Sequence, residues 1–327
     1  MMRRREIITL LGGAAAAWPL AARAQQPDRM RRIGVLMSTG TTDPSYLAVF
    51  VQALRKLGWV DGQNLRLDIR WHENNLERGR AFATELVAIA PDVILTAGTP
   101  QLTALLGATR TIPIVFLQVS DPVAQGFVAN LAQPGGNITG FTAFEFSMGP
   151  KWLDLLKQMV PSLARVAVIF SPDTPQSKFW VNAVEAAGPP LGVEVVATPV
   201  HDAGEIERAI ERLASAPNSG LIVPTDNLLT LHSKLIADLT TRHRVPAIYN
   251  SLEYLMNGGL MYYGYVRTDQ FRQAAVYVDR ILKGATPGDL PIQAPAKFEL
   301  MINLATAKAL GIEVPLGLML RVDELVE

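Results

Sequence analysis

The chain contains no cysteine. That excludes thiol nucleophiles, cysteine metal sites, disulfides and a cysteine for lipid anchoring. Histidine is scarce too: His72, His201, His232 and His243 stand at no metal-ligand spacing and read as surface or helix-end residues. Net charge is missing, with 30 Lys+Arg against 30 Asp+Glu, so there is no basic footprint for nucleic acid. Nor is there a G-x-x-x-x-G-K-[ST] loop, a G-x-G-x-x-G after the first apolar run, a G-x-S-x-G elbow or an H-E-x-x-H pair. No stretch beyond the N-terminus is long and apolar enough to span a bilayer. Nucleotide, metal and hydrolase chemistry therefore lack their usual signatures, and no cofactor is expected.

What is present begins with Arg3-Arg4-Arg5, an apolar run from Ile7 to Ala17, and Ala22-Arg23-Ala24. Basic, apolar and A-x-A-like segments in that order predict an export signal over residues 1–24, cleaved before Gln25. Arg4-Arg5-Glu6-Ile7-Ile8 also resembles a twin-arginine signal, so either export route is open. Residues 1–24 hold four Arg and one Glu, so the remaining chain carries 26 basic and 29 acidic side chains, about −3. The expected location is the periplasm.

At 327 residues and 49% hydrophobic content, the chain has core enough for about two domains. Its organising stretch is Pro91 to Gln101. The β-branched run Asp92-Val93-Ile94-Leu95 stops at Thr96-Ala97-Gly98-Thr99-Pro100, and an apolar helix pattern follows at once. This predicts a buried strand, a tight turn, and a helix with Thr99 as N-cap and Pro100 at its first position. The same unit recurs. Strands are predicted at Ile33–Met37, Leu65–Trp71, Pro113–Leu117, Val166–Phe170, Gly192–Thr198, Leu221–Val223, Pro246–Tyr249 and Gly259–Val266, with apolar-striped helices between most of them. Asp202 and Glu205 form a capping-box pattern. One helix is expected to carry Leu228, Leu231, Leu235 and Leu239. Pro287, Pro291 and Pro295 mark an extended crossing before Asn303 to Leu310. The fold class is α/β: two Rossmann-like lobes with parallel sheets joined by a multi-crossing hinge. The first lobe comprises residues 25–142 with approximately 264–290, the second 143–263 with approximately 291–327.

In open α/β sheets ligands bind at the carboxyl edge. The predicted strand-end turns there carry Ser38 and Thr39, Gly98 and Thr99, Ser120 and Asp121, Ser171 and Thr174, Thr225 and Asp226, and Asn250. Small hydroxylic and acidic residues suit a small zwitterion: backbone N–H groups and hydroxyls for a carboxylate, an aspartate for an ammonium. Asp226 is the first candidate for the ammonium and Asp121 the second. Asp226 can equally N-cap the following helix, and Asp121 can shape the turn before Pro122. Tyr262, Tyr263 and Tyr265 either present a stacking wall to the cleft, with Tyr263 foremost, or form sheet core. No arginine sits in any of these turns. A cleft hydrolase using Asp121 or Asp226 is the alternative from another class. A sugar-repressor-like regulator would need a DNA-binding helix pair where residues 1–32 carry the export signal.

Several stretches carry a resemblance in order along the chain: Ile33-Gly34-Val35-Leu36, Leu54 to Asn64, Pro91 to Ile94 with Gly98-Thr99-Pro100, Ser120-Asp121-Pro122-Val123, Pro134 to Gly140, Pro224 to Asn227, and Asn303 to Gly311. The sequence resembles the substrate-binding proteins of ABC transporters, in the family that contains the tryptophan-binding type of receptor. The resemblance implies a type I periplasmic-binding fold with three hinge crossings and one ligand in the cleft. It further implies a permease and ATPase as partners, no catalysis, and amino acids, aromatic ones included, as ligands; the receptor is expected to be a monomer. Gly98 and Thr99 would then lie in the first-lobe wall with Asp121 facing across, and Thr225 and Asp226 in the second-lobe wall.

Overall fold

The computed structural model describes residues 29–38, 44–73, 75–143, 148–174 and 177–327. The expected export signal, residues 1–24, and Thr39 lie outside them. The first lobe runs β1 (Arg31–Ser38), α1 (Pro44–Lys56), β2 (Leu65–His72), α2 (Leu76–Ala88), β3 (Val93–Ala97), α3 (Thr99–Ala108), β4 (Ile114–Val119) and β5 (Ile138–Thr142). Its five strands are parallel, in the order β2-β1-β3-β4-β5. Parallel strands are covered on both faces, and alternate residues show it. Ile33, Val35 and Met37 of β1, with Val93 and Leu95 of β3, pack toward Phe50 and Leu54 of α1. Leu36 and Ile94 pack the other way, against Leu86, Leu102 and Leu105 of α2 and α3.

The second lobe follows with α4 (Met148–Met159), β6 (Arg165–Phe170), α5 (Ser177–Leu191), β7 (Glu194–Pro199), α6 (Ala203–Ala214) and β8 (Ser219–Val223). Then come α7 (Asn227–Leu231), α8 (Ser233–Arg242), β9 (Ala247–Tyr249), α9 (Leu252–Met256), β10 (Met261–Tyr265) and α10 (Arg267–Leu282). A 3-10 turn at Pro287–Asp289, β11 (Phe298–Asn303), α11 (Leu304–Leu310), α12 (Leu316–Met319) and β12 (Glu324–Val326) complete the described chain. The sheet order is β12-β11-β10-β9-β8-β6-β7. Counted from β6, its first five strands repeat the order of the first lobe.

The chain passes between the sheets after β5, at Val266, and between Gln293 and β11. Helix α10 follows a second-lobe strand yet lays Phe271, Ala274, Ala275 and Val278 on the first-lobe core. Gln293 then adds to the edge of β5, donating to the Gly140 carbonyl at 3.0 Å and accepting from Thr142 N at 2.9 Å.

Three readings need correction. Gly98, at φ 97°, is the cap residue of α3, and Thr99 is its first helical residue. The helix expected through Leu228 and Leu239 breaks at His232, and Leu231 is 77% exposed. The stretch read only as an extended crossing ends in β11, which pairs antiparallel with β10.

Candidate functional site

A 2-1-3-4-5 sheet reverses its strand order between its first and third strands, and ligands bind outside that switch point. In the first lobe the gap lies between the ends of β1 and β3, at Ser38 and at Gly98-Thr99. In the second it lies between the ends of β6 and β8, at Ser171 and at Thr225-Asp226. Four of the sequence-predicted turns thus stand at the two places where this topology opens, while Ser120-Asp121 and Asn250 end the next strands over, β4 and β9.

On the first edge, Thr99 Oγ1 accepts from Ser120 N at 3.4 Å and from the Gln125 amide at 3.5 Å, tying the β3 turn to the β4 turn. Register shifts between Phe116 and Val119, and Gln118 (φ 56°) and Asp121 (φ 35°) take the left-handed conformation on either side of Ser120. Such backbone costs about 1 kcal/mol or more per residue, and bulges next to binding sites re-aim side chains. The Asp121 carboxylate accepts from Ala124 N at 3.0 Å, shaping the turn around Pro122.

Behind this edge stands a contact that the sequence did not announce. With its amide oriented to satisfy both ends, Gln101 donates to the carbonyls of Ala97 (3.1 Å) and Gly98 (3.3 Å) and accepts from His72 Nε2 at 3.1 Å. His72 is 2% exposed, so the surface reading of this histidine is corrected. Burial first, then the Arg78 charge, holds its pKa below the usual histidine value. A β carbon at Gly98 would fall 2.5 Å from the tip of the Gln101 amide, which could turn aside, but the φ of 97° is a conformation that favours glycine.

On the second edge, Asp226 is 3% exposed. One carboxylate oxygen accepts from Leu228 N (2.8 Å) and Leu229 N (3.3 Å), capping α7. The other accepts from Ser171 N at 3.1 Å, across the switch point. Ser171 also holds its own turn, its carbonyl accepting from Thr174 N (3.1 Å) and Ser177 Oγ (2.9 Å). Thr225, exposed, donates its hydroxyl to the Asn250 side-chain oxygen, and Asn250 Nδ2 reaches Met148 Sδ at 3.8 Å. Tyr263 is not brought to these turns. Its ring stacks on Phe298 at 5.8 Å beside the α4 core, and the Trp152 indole donates to its carbonyl at 2.9 Å. Strand alternation turns it to the helix-covered face of the sheet. Tyr262 and Tyr265 are buried as well, at 2% and 6% exposure.

Sequence reasoning found no arginine at a strand end, yet Arg267 stands just beyond β10, as the first residue of α10. It donates to Glu253 Oε1 and Ser251 Oγ, both at 3.1 Å. Burial alone would lower its pKa, but the Tyr265 phenol and the Glu253 carboxylate hold it above the ordinary arginine value. For Glu253 burial acts upward, and the Arg267 charge outweighs it, keeping the carboxyl below its usual range. Among the described residues no group of His, Asp and Glu is placed to hold a metal ion.

Two lobes of this order make the type I periplasmic-binding fold. The chain belongs to the ABC transporter substrate binding protein family, whose model matches residues 41–326. It is 28% identical over 264 residues, 81% of this chain and 76% of the relative, to a tyrosine-binding protein of Clostridioides difficile (strain R20291). Among solved structures it is similar to a conserved domain protein from Vibrio cholerae (TM-score 0.78, 24% identity, 91% of this chain and 100% of that one). It is similar also to the ligand-free, open form of a substrate-binding protein with adhesive properties from Clostridium difficile (0.75, 27%, 90% and 99%). A third likeness is to an ABC domain in complex with L-Trp from Streptococcus pneumonia (0.77, 23%, 90% and 99%). Members of the family bind substrates and do not transform them, so the chain is the substrate-binding component of an ABC transporter and not an enzyme. The hydrolase alternative falls with that, and both aspartates it would use are engaged by backbone N–H groups.

Proposed function

We propose that this chain is exported, loses its N-terminal segment after Ala24, and serves as a monomeric periplasmic receptor for an ABC importer. Its two lobes close around an amino acid or related organic acid and present it to the permease and ATPase. The observation that carries this reading is the pairing of two switch points, each lined by short turns with hydroxyl, amide and backbone donors. Ser38, Thr39, Gly98, Thr99, Ser120 and Asp121 serve one wall. Ser171, Thr174, Thr225 and Asn250 serve the other, with Asp226 as the residue that shapes it. The tyrosine-binding name of one relative and the L-Trp bound to one structural neighbour support putting aromatic amino acids first among candidate ligands.

The test is thermal unfolding of the chain from Gln25 against a panel of amino acids, organic acids and sugars. A ligand at about 100 times its dissociation constant adds about 2.7 kcal/mol, a readable rise in midpoint. A rise with one solute class is the expected result. No rise with any member of a broad panel, at concentrations up to millimolar, would overturn the receptor reading.

A further inference from the structure

The second-lobe edge carries a charged pair of a kind the small-residue turns do not supply. Besides accepting from Arg267, Ser251 donates its hydroxyl to Glu253 Oε2, so arginine, serine and glutamate close a ring. The Arg267 side chain keeps 18% of its exposure and that of Glu253 keeps 41%. Around the guanidinium stand the phenols of Tyr265, Tyr262 and Tyr46, the last from the first turn of α1. Tyr46 stacks on Phe271 of α10 at 5.6 Å. The pair therefore lies where the lobes join, next to the Asn250-Ser251 turn at the end of β9.

An ion pair with one member mostly buried and the other well exposed adds little stability, because desolvation and solvent screening offset the attraction. A hinge brace alone gives no reason for a charge here. The guanidinium has five N–H donors, more than Glu253, Ser251 and the Tyr265 phenol take up, and Glu253 has an exposed side. A purely anionic ligand on Arg267 would also meet the Glu253 carboxylate and be repelled. A zwitterion avoids this: its carboxylate meets Arg267 while its ammonium meets Glu253, and the charges alternate.

We propose that the Arg267–Glu253 pair is the head-group receptor of the site and that its ligand is a zwitterion of the α-amino acid class. Arg267 takes the carboxylate and Glu253 the ammonium. This rests on the receptor reading above and narrows it.

The experiment is calorimetric titration of the chain from Gln25 with the twenty proteinogenic L-amino acids, with a set of sugars and simple organic acids, and with the amide and the decarboxylated amine of the tightest amino acid. Losing a charge-assisted hydrogen bond costs about 10- to 100-fold in affinity. Arg267→Gln should weaken the amino acid by that factor and bind acid and amide alike, whereas the wild type should prefer the acid. Because Arg267→Gln leaves Glu253 without its partner, the charge-free Glu253→Gln/Arg267→Gln chain is titrated as well. It should melt near the wild type and still fail to bind. If that double variant binds with wild-type affinity, the pair is only a brace and the proposal is overturned. It is also overturned if the wild type binds a sugar or a simple acid but no amino acid, an outcome that leaves the receptor reading standing. Failure with every solute class would remove both.

Discussion

Asp226→Ala separates the architectural load on this carboxylate from any contact with ligand. A helix N-cap alone is worth about 1 kcal/mol. Here the second oxygen also accepts from Ser171 N, whose residue is 5% exposed, so truncation strands a donor that water reaches poorly. An unsatisfied buried N–H costs about 1–3 kcal/mol. The expected loss is therefore about 2–4 kcal/mol, two to four times the value for capping alone. Urea unfolding followed by circular dichroism reads it as a lower midpoint at unchanged slope. Asp226→Asn should fall between, since the amide keeps one acceptor but turns its NH2 toward a donor. Ligand affinity should drop as well, because the bond joins the β6 and β8 turns on either side of the switch point. A loss of 1 kcal/mol or less for Asp226→Ala would refute the reasoning: the Ser171 bond would then carry no weight, and Asp226 would be an ordinary cap. Such a small loss combined with abolished binding would return Asp226 to direct contact with the ligand.

Two further outcomes follow from the same geometry. Tyr263→Ala should destabilise the chain by about 3 kcal/mol through the lost stack on Phe298 and leave ligand affinity unchanged; a selective loss of affinity would put its ring back in the cleft. For His72, a folded pKa held below the usual 6.5 means that the unfolded chain takes the proton first as pH falls. Its contribution is complete above about pH 6.5 and is lost as pH drops from there toward the folded value. The wild-type urea midpoint should thus decline below that pH more steeply than that of His72→Gln, and parallel curves would refute the assignment.

Much of the frame was legible because burial leaves a mark on composition. Strands β1, β3, β6 and β8 are covered on both faces, so they appear as unbroken apolar runs ending in small polar turns. The Asp202 cap accepts from Glu205 N at 2.8 Å, and Glu205 reaches back to His201 N at 2.8 Å, close to the expected box. The break between α7 and α8 left no trace, because Leu228, Leu235 and Leu239 keep helical spacing across His232. Strand β11 was obscured by the prolines before it, although Leu300 and Ile302 are core residues. Buried His72 was misread because a histidine on an exposed-looking alternating strand gives no sign of the helix packed over it, where Gly79 leaves room for the ring. Arg267 escaped because β10 runs almost directly into α10. No turn cluster marks the strand end, so nothing in the sequence singled it out.

That placement bears on how the proposed trap would work. The first edge offers hydroxyls and backbone groups on a strained β4 turn, and the proposed head-group site lies on the opposite lobe. Yet Arg267 opens the very helix that crosses to the first lobe and packs Phe271 into its core. A carboxylate held there would lie beside the crossing at Val266, and two lobes hinged at such a crossing would move least there. It can be engaged before closure and kept through it. The β3 and β4 turns, on the other lobe, would add their contacts only as the lobes approach. Charge near the hinge would then govern capture and ligand class. The donors on the first edge would set the difference in affinity between the open and closed forms, and only that difference can drive closure.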